Sequence, residues 1–315
     1  MTGNAIGPNL PAERRISVLI ASVGRPALLR TLASVDAVEV PEGYAVEIVV
    51  VDDSTDFRVK PLLADRKWRL PLRVVEIGSR NVSHARNALL DEAGGEWGLF
   101  VDDDEHVEAG WVADHLRAAT DFEADAVFGP VGFIYPETTP QWFRDARFMW
   151  KGVDARDNGR LIATGATCNT LVRLSTVRRM GLRFDPAFGR SGGEDEEFFC
   201  RMAKAGGRLV LTDRARVWEE VPEARATAAY VLERAERTGA SFARRTLAGR
   251  STAGRWTFTV NALAKLAIAG SAAIAAWPFD HVWRYRFQAM ARSNIGKLKT
   301  VFGREEMDGW AREIR

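Results

Sequence analysis

Cysteine and histidine are both scarce in this chain of 315 residues. Its two cysteines, Cys168 and Cys200, form no CxxC motif, and its four histidines form no HxxxH or HExxH pattern. The sequence therefore lacks the ligand spacing of a zinc site, and the two isolated thiols indicate a reducing compartment. The segment before Ile16 also lacks the apolar run of a signal peptide, so we expect the protein to face the cytosol.

The small net charge of +2 conceals an uneven distribution of charge. Residues 225–315 carry 16 Lys and Arg against 7 Asp and Glu, whereas residues 1–224 carry 28 against 35. A basic tail on an acidic body indicates that the tail meets an anionic surface. Lipid headgroups and nucleic acid both provide such a surface, and charge alone does not separate them.

The basic tail contains one long apolar run. Phe258 to Phe279 is a 22-residue stretch of mostly Ala, Ile and Leu, interrupted by Asn261 and Lys265, and it is long enough to cross a bilayer. Aromatic and basic residues stand near its ends, namely Trp256, Trp277, Trp283, Arg250, Arg255, Arg284 and Arg286. This pattern is typical of a helix in or on a membrane interface, and it leaves spanning and flat orientations open. Because the basic residues flank an apolar helix instead of a polar groove, we expect no nucleic-acid partner.

Before this tail, apolar strands alternate with helical patterns. Near-continuous apolar strands such as Val46 to Val51 are typical of a mainly parallel sheet covered by helices on both faces. We therefore predict an α/β domain over residues 14–223, followed by a helical, basic, membrane-associating region over residues 224–315. The aromatic stretch inside the predicted α/β domain, around Trp142 and Trp150, is interpreted as a loop region.

Three consecutive carboxylates, Asp102 to Asp104, follow the apolar run Trp97 to Val101. At the end of a buried strand they would repel one another unless a cation lies among them. The carboxyl edge of such a sheet is also where α/β proteins bind ligands. Residues two apart on an extended segment point the same way, so Asp102 and Asp104 are expected to face one ligand. The alternative is a solvated acidic turn.

A second acidic cluster, Glu194 to Glu197, follows Gly192 and Gly193. The glycines permit close backbone approach, and the cluster is expected to open a helix whose N-terminus favours anions. Asp195 is the candidate general base, since a positioned carboxylate can accept the proton of an attacking hydroxyl. The alternative is a carboxylate that only stabilises the N-terminus of the helix. One acidic cluster for a metal and one for a proton suffice to move a group off a diphosphate.

Five motifs occur in an order that resembles the inverting family 2 glycosyltransferases with the GT-A fold, over roughly residues 14–223. The motifs are Ile16 to Ile20 with Arg25-Pro26, Val49 to Ser54, Ala85 to Asn87, Phe100 to Asp104, and Gly192 to Asp195. The basic tail and Val217 to Pro222 are also similar to exopolysaccharide transferases of the succinoglycan type. This resemblance implies inversion at the anomeric carbon, so that an α-linked donor gives a β-linkage.

The resemblance also implies nucleotide-binding roles. It places Asp53 on the nucleotide base, with Ser22 beside it, and Arg86 near the diphosphate. An Asx turn that only caps the strand is the alternative for Asp53. A structural ion pair with the acidic triplet is the alternative for Arg86.

For the acidic triplet the resemblance implies contacts to the nucleotide-sugar from Asp102 and Asp103. Asp104 is the implied ligand of Mg²⁺ or Mn²⁺, ions that suit oxygen donors and commonly bind one or two carboxylates beside phosphates. Many relatives carry a downstream histidine near the metal, but this sequence has none there. Glu219 or Glu220 is the candidate replacement as an oxygen ligand, and the alternative is a metal held by Asp104, phosphates and water.

Other residues are weaker candidates. Trp142, Trp150 and Trp218 offer faces for sugar stacking, although packing is the commoner role of such residues. Asn169 is a candidate for the acceptor side.

These observations favour a metal-dependent, inverting glycosyltransferase with a UDP-sugar as donor. The tail favours a polyprenyl-diphosphate-linked saccharide as acceptor, in bacterial surface polysaccharide synthesis, at the cytoplasmic face of the inner membrane as a peripheral or monotopic protein. A nucleotidyltransferase is one alternative, but the loop Ala21 to Arg25 is poor in glycine for that activity. A non-catalytic, membrane-bound scaffold that binds sugar or nucleotide is the other.

Overall fold

A computed structural model describes residues 14–148 and 154–304. Within them, two compact units are distinguished, and each is formed from separate stretches of the chain. Unit 1 comprises residues 14–132, 154–189 and 194–219, and unit 2 comprises residues 133–148, 190–193 and 220–304. Unit 2 thus takes two short stretches from inside the predicted α/β domain, and the boundary at residue 223 stays a prediction.

Unit 1 is built on a seven-stranded mixed sheet, which agrees with the predicted α/β class. In spatial order its strands are β3 (Leu72–Glu76), β2 (Ala45–Asp52), β1 (Arg15–Ser22), β4 (Trp97–Phe100), β8 (Thr170–Arg173), β6 (Ala126–Phe128) and β9 (Leu209–Leu211). All neighbouring strands are parallel except for β8, which is antiparallel to both β4 and β6. The sheet is therefore mainly parallel.

The central strands are apolar because they are covered on both faces. Val18 and Leu19 in β1 and Val49 and Val50 in β2 point to opposite faces, and all four are inaccessible to solvent. Helices cover the sheet, and those of unit 1 are α1 (Leu28–Asp36), α2 (Val59–Leu63), α3 (Val82–Glu92), α4 (Trp111–Asp121), α6 (Leu174–Arg179) and α7 (Glu194–Lys204). A short 3-10 helix spans Ala155–Asp157.

Parallel register brings three chain segments to one edge of this sheet. Ser22 at the end of β1 is in register with Asp52 at the end of β2, and Leu19 is in register with Phe100 at the end of β4. The segments that follow these strands therefore leave the sheet side by side. They carry the residues predicted to bind the nucleotide and the metal.

A second, three-stranded sheet has the order β5 (Glu105–Val107), β10 (Val217–Glu220) and β7 (Val131–Ile134). The antiparallel pairing of β10 with β5 sets Glu219 directly opposite Glu105. Both carboxylate side chains are buried. The second sheet thus brings a residue from near the end of unit 1 to the acidic segment that follows β4.

Unit 2 consists of helices α5 (Gln141–Ala146), α8 (Ala228–Leu247), α9 (Thr252–Ala276) and α10 (His281–Val301). The interpretation of the aromatic stretch as a loop is wrong at Trp142, which lies in α5. Its ring stacks on Tyr285 of α10, with centroids 4.9 Å apart, so burial of aromatic surface stabilises this short helix. Trp150 lies outside the described residues.

The three long helices of unit 2 pack against each other, with α10 contacting both α8 and α9. A side chain on Gly239 of α8 would overlap the carbonyl oxygen of Ser293, and one on Gly296 of α10 would overlap that of Glu236. The two glycines therefore permit the close approach of α8 and α10. Among the described residues, α9 is the one helix long and apolar enough to cross a membrane by length and composition.

Candidate active site

The acidic segment after β4 is a tight turn in unit 1. The backbone N–H of Glu105 donates to the carbonyl oxygen of Asp102 at 3.2 Å, and Asp103 and Asp104 occupy the turn between them. The expectation of an extended segment is therefore wrong here, and the alternation of side chains along a strand does not apply. The three carboxylates take different environments, because Asp103 is buried whereas Asp102 and Asp104 are partly exposed.

Arg25 is the cation that this turn requires. Its guanidinium pairs with both oxygens of Asp103, through Nη2 to Oδ1 and through Nε to Oδ2 at 3.3 Å, and Nη1 lies 3.1 Å from Oδ2 of Asp104. The hydroxyl of Ser22 donates to the same Oδ2 of Asp103 at 2.7 Å. Ser22 ends β1 and Arg25 lies in the loop after it, so this segment orients the acidic turn and compensates part of its charge.

A set of possible metal ligands includes two carboxylates at this turn. One ligand atom each from Asp102, Glu105 and Cys168 lie within 4.8 Å of one another. Glu105 is fully buried, its Oε2 accepts the backbone N–H of Asp102 at 3.0 Å, and Glu219 is its partner in the sheet. The carboxylate oxygens of this set suit Mg²⁺ or Mn²⁺, whereas the thiol of Cys168 is a softer donor. The donor chemistry therefore fits a divalent cation at the turn.

Asp52 and Asp53 use their carboxylates to shape neighbouring loops. Asp52 makes an Asx turn, in which Oδ1 accepts the N–H of Ser54 at 2.9 Å. Asp53 accepts backbone N–H groups from Ser79, Arg80 and Asn81 at 2.6 to 2.9 Å. Burial raises the pKa of Asp53, while these hydrogen bonds oppose that shift. Asp53 thus holds the loop before α3, and its contact with a nucleotide base stays a prediction.

Arg86 of α3 connects the two acidic clusters. Its Nη1 pairs with Oε1 of Glu194 at the start of α7, and its Nη2 lies 3.9 Å from Oδ1 of Asp102. Burial lowers the pKa of the Arg86 guanidinium, but the charges of Glu194, Asp195 and Asp102 outweigh this effect and raise the pKa. The guanidinium is therefore also within electrostatic reach of Asp195. One buried cation therefore gathers the acidic turn and the base candidate into a single site within unit 1.

Asp195 lies in the first turn of α7 and is partly exposed. Its Oδ1 accepts the backbone N–H of Glu196 at 2.7 Å, which uses one of the free N–H groups of the helix N-terminus. Its neighbour Glu194 is buried, and burial raises the pKa of Glu194 to about 7 although Arg86 opposes the shift. The partly exposed carboxylate, Asp195, is the one that a substrate can reach.

The glycine loop before α7 belongs to unit 2. There Nη2 of Arg244, from α8, donates to the carbonyl oxygens of Ser191 and Gly192 at 3.0 and 3.3 Å and to the hydroxyl of Ser241 at 3.0 Å. Gly192 and Gly193 have φ values of 80° and 94°, which favour glycine. The backbone that leads into the base candidate is therefore held by a side chain of the C-terminal region.

Three residues of the weaker predictions have structural roles. Asn169 is fully buried, with a left-handed φ of 55°; its Oδ1 contacts Trp111 and His115, and its Nδ2 donates to two carbonyls. The expectation that it lines the acceptor side is therefore wrong. Trp142 packs in unit 2, and Trp218 donates through Nε1 to Glu108 at 2.9 Å.

Three site residues received no role from the sequence: Arg25, Glu105 and Glu194. The sequence could have identified Arg25, because it lies in the first motif and a triplet of carboxylates requires a cation. Glu105 directly follows that triplet, so a fourth carboxylate in the run was visible. Glu194 differs from its three acidic neighbours only in being buried, and no local pattern distinguishes it.

Comparison with known proteins identifies relatives over most of the chain. A family model described as glycosyl transferase family 2 matches residues 17–181. The chain is 33% identical over 308 residues to the succinoglycan biosynthesis protein ExoM of Rhizobium meliloti (strain 1021), a match that covers 95% of this chain and 97% of that protein.

Solved structures share the fold at lower sequence identity. The crystal structure of S. aureus TarS 1-349 is 17% identical, with a TM-score of 0.51 and 92% of each chain covered. The crystal structure of GalNAc-T7 with UDP, GalNAc and Mn²⁺ is also 17% identical, with a TM-score of 0.53, covering 74% of this chain and 51% of that one. At this level of identity the likeness concerns the fold.

Proposed function

The chain belongs to glycosyl transferase family 2 and has a GT-A fold, and we propose that it transfers a sugar from UDP to a hydroxyl group with inversion. The observation that carries the proposal is Arg86, which pairs with Glu194 and approaches Asp102. It brings a base candidate beside an acidic turn, as transfer from a nucleoside diphosphate requires. Family membership also makes the chain a glycosyltransferase and disfavours the nucleotidyltransferase and scaffold alternatives.

In the proposed reaction Asp195 is the general base. The acceptor hydroxyl oxygen forms a bond to the anomeric carbon while the bond from that carbon to the diphosphate oxygen breaks. The hydroxyl proton passes to the carboxylate of Asp195, and the electron pair of the broken bond leaves with UDP. Attack from the side opposite to the leaving group inverts the anomeric configuration.

The donor is proposed to bind along the edge of the sheet where β1, β2 and β4 end. Asp53 and Ser22 are assigned to the nucleotide side, and Asp102 and Asp103 to the nucleotide-sugar. The cation of Arg86 is available to offset diphosphate charge, since it is held close to these groups. Support for UDP comes from GalNAc-T7, whose structure holds UDP.

A divalent cation, Mn²⁺ or Mg²⁺, is proposed as the cofactor, with Asp104 as its ligand. Asp102 and Glu105 form a second donor set within the same turn, and Glu219 opposite Glu105 is the candidate replacement for a missing histidine. A bound cation would supply Lewis-acid stabilisation of the departing diphosphate. The protein's part is to present these oxygens and to hold the turn through Arg25 and Ser22.

The acceptor is proposed to be a lipid-linked saccharide, on a polyprenyl diphosphate, used in bacterial exopolysaccharide synthesis. The relative ExoM is a succinoglycan biosynthesis protein by name, and it matches nearly the whole chain. The exposed apolar helix α9 supports contact with a membrane. We place the reaction at the cytoplasmic face of the inner membrane, where a membrane-associated tail reaches a lipid-linked headgroup.

Calorimetric titration of UDP into the full chain, with and without Mn²⁺, tests the proposal. We expect UDP binding that strengthens with Mn²⁺ and weakens at least about tenfold in Asp104→Ala. The reason is that a ligand bound through a metal ion binds more weakly when the protein no longer holds the metal. Asp114→Ala, on the surface of α4, is the matched control. Absence of UDP binding under both conditions would contradict the choice of nucleotide. Turnover of UDP-sugars in single-sugar assays then identifies the donor.

A further inference from the structure

Helix α9 has a buried face of small residues and an exposed face of large apolar ones. Ala262, Ala269 and Ala273 are buried against its neighbours. Large side chains of the other face are strongly exposed, with Ile268 and Ile274 at 70% and 75% of their accessible surface and Trp256, Val260 and Leu263 at about half or more. A contiguous apolar surface of this kind on a folded protein marks an interaction site.

The chemistry around this face fits an anionic lipid surface. Between Arg255 and Asp280 the one charged residue is Lys265, so the exposed face itself carries no charge apart from its margin. Three strongly exposed tryptophans stand at the two ends, namely Trp256, Trp277 and Trp283. Tryptophan at both ends of an apolar helix is typical of the boundary between headgroups and acyl chains.

Cations line the margin of the apolar face. Lys265 lies about 60° around the helix from Ile268, and its charge lowers the pKa of Lys297 on α10, in addition to the larger effect of burial. Nζ of Lys297 donates to Asn294 at 3.1 Å and lies 5.4 Å from the centroid of the Phe242 ring. Two lysines from two helices thus meet beside the apolar surface, where lipid phosphates would offset their repulsion.

The packing of α10 decides between a spanning and a flat orientation. This helix lies against α9 and carries five cations and no acidic residue: Arg284, Arg286, Arg292, Lys297 and Lys299. If α9 crossed a bilayer with α10 attached, these charges would enter the hydrocarbon at high cost. If α9 crossed alone, α10 would lose its packing against α9.

We infer that α9 lies in the plane of an anionic membrane, with the face of Val260, Leu263 and Ile274 in the boundary between headgroups and acyl chains, and with α10 on its aqueous side. The inference rests on the membrane association in the proposed function and goes beyond it, because it assigns the face and orientation. The protein is then monotopic, and the basic residues of α10 contact headgroups from above the membrane plane.

Spin labels on single cysteines test this orientation in the full chain with Cys168 and Cys200 replaced by Ala. We would label positions 260, 267 and 274 on the apolar face, and position 261 on the margin as control. Vesicles contain equal amounts of phosphatidylcholine and phosphatidylglycerol, and collision with oxygen and a nickel complex reports depth. We expect the same shallow depth at 260, 267 and 274, and a position nearer to water at 261.

Two other results of the labelling experiment would contradict the in-plane orientation. A depth that rises from 260 to 267 and falls to 274, with 261 as deep as 260, would show a spanning helix and overturn the inference. Aqueous signals at all positions would overturn it together with the membrane contact, while UDP binding by the chain with both native cysteines would leave sugar transfer standing. Ile274→Glu is expected to weaken vesicle binding at least about tenfold, whereas Asn261→Glu should change it less than about twofold.

Discussion

Arg25 pairs with Asp103 through two nitrogen atoms, and a third nitrogen of the same guanidinium reaches Asp104. The pair joins the loop after β1 to the turn after β4 across 78 residues of sequence. Because one side of the Asp104 carboxylate faces this guanidinium, a metal ion bound by Asp104 would share its ligand with Arg25. Part of the negative charge of the acidic turn is therefore compensated by the protein itself before any ion binds.

Removal of Arg25 should change the response of the protein to Mn²⁺. In Arg25→Met the turn keeps its negative charges but loses its internal cation, so we expect a lower Tm without metal and a larger rise of Tm with Mn²⁺ than in the unmodified chain. Thermal melts over a Mn²⁺ series measure both effects. Arg25→Lys, which keeps the charge, is the control, and an unchanged Mn²⁺ response in Arg25→Met would show that arginine and metal do not share the turn.

Asp195→Asn should abolish sugar transfer and leave UDP binding largely intact. An amide cannot accept the hydroxyl proton, and loss of a general base costs on the order of 10²–10⁴ in kcat. Initial rates with a UDP-sugar and calorimetry with UDP separate the two effects. Glu196→Gln, the neighbouring change on the same helix, should retain most of the activity. Loss of UDP affinity with preserved turnover would contradict the assignment of Asp195.

Glu194 should make the stability of the protein depend on pH. Its pKa in the folded protein is about 7, above the ordinary 4.5. The contribution of Glu194 to the free energy of unfolding is therefore complete below about pH 4.5, and it is lost as the pH rises through about 7. We expect Tm to fall less between pH 5 and pH 8 in Glu194→Gln than in the unmodified chain, by roughly 2–6 °C. Parallel slopes for the two proteins would show that Glu194 does not titrate in this range.

Arg244→Met should lower kcat by about tenfold with little change in the KM for the donor, because it frees the backbone that precedes the base. The arginine donates to the carbonyls of Ser191 and Gly192, which precede the helix that carries Asp195. Steady-state kinetics with varied donor and acceptor concentrations measure kcat and the KM for the donor separately. Arg245→Met, which removes a cation over the ring of Phe242 on the same helix, is the matched control. Equal effects of both variants would indicate a general loss of helix stability instead.

Gly296→Val should destabilise the helical region by about 1–3 kcal/mol. A side chain at this position meets the carbonyl oxygen of Glu236, so α8 and α10 must separate. Denaturant unfolding of the full chain measures the loss. Gly270→Val on α9 controls for helix propensity, since nothing lies within 4 Å of a side chain built there. An equally large loss of unfolding free energy in Gly270→Val would show that the close approach of α8 and α10 is not the cause.

Much of the site was predictable because its parts are local in sequence. The acidic run after β4, the carboxylates that open α7 and the aspartates after β2 each follow an apolar strand or a glycine pair, and such patterns report strand ends and helix starts. The acidic cluster was predicted to open a helix, and the structure has a helix that begins at Glu194. The aromatic stretch around Trp142 was missed as a helix because its stability comes from contact with α10, which no local periodicity reports.

The sequence by itself determined the fold class, the family and the positions of the acidic motifs, because apolar continuity, glycine pairs and charge runs are properties of short segments. Only the tertiary structure decided which carboxylate meets which cation. Arg25 meets Asp103 across 78 residues, and Arg86 meets Glu194 across 108. These pairs depend on β1 lying beside β4 and on α3 lying near the start of α7. Since the strength of an ion pair is set by distance and burial, the chemistry of each carboxylate emerges only when the chain is folded.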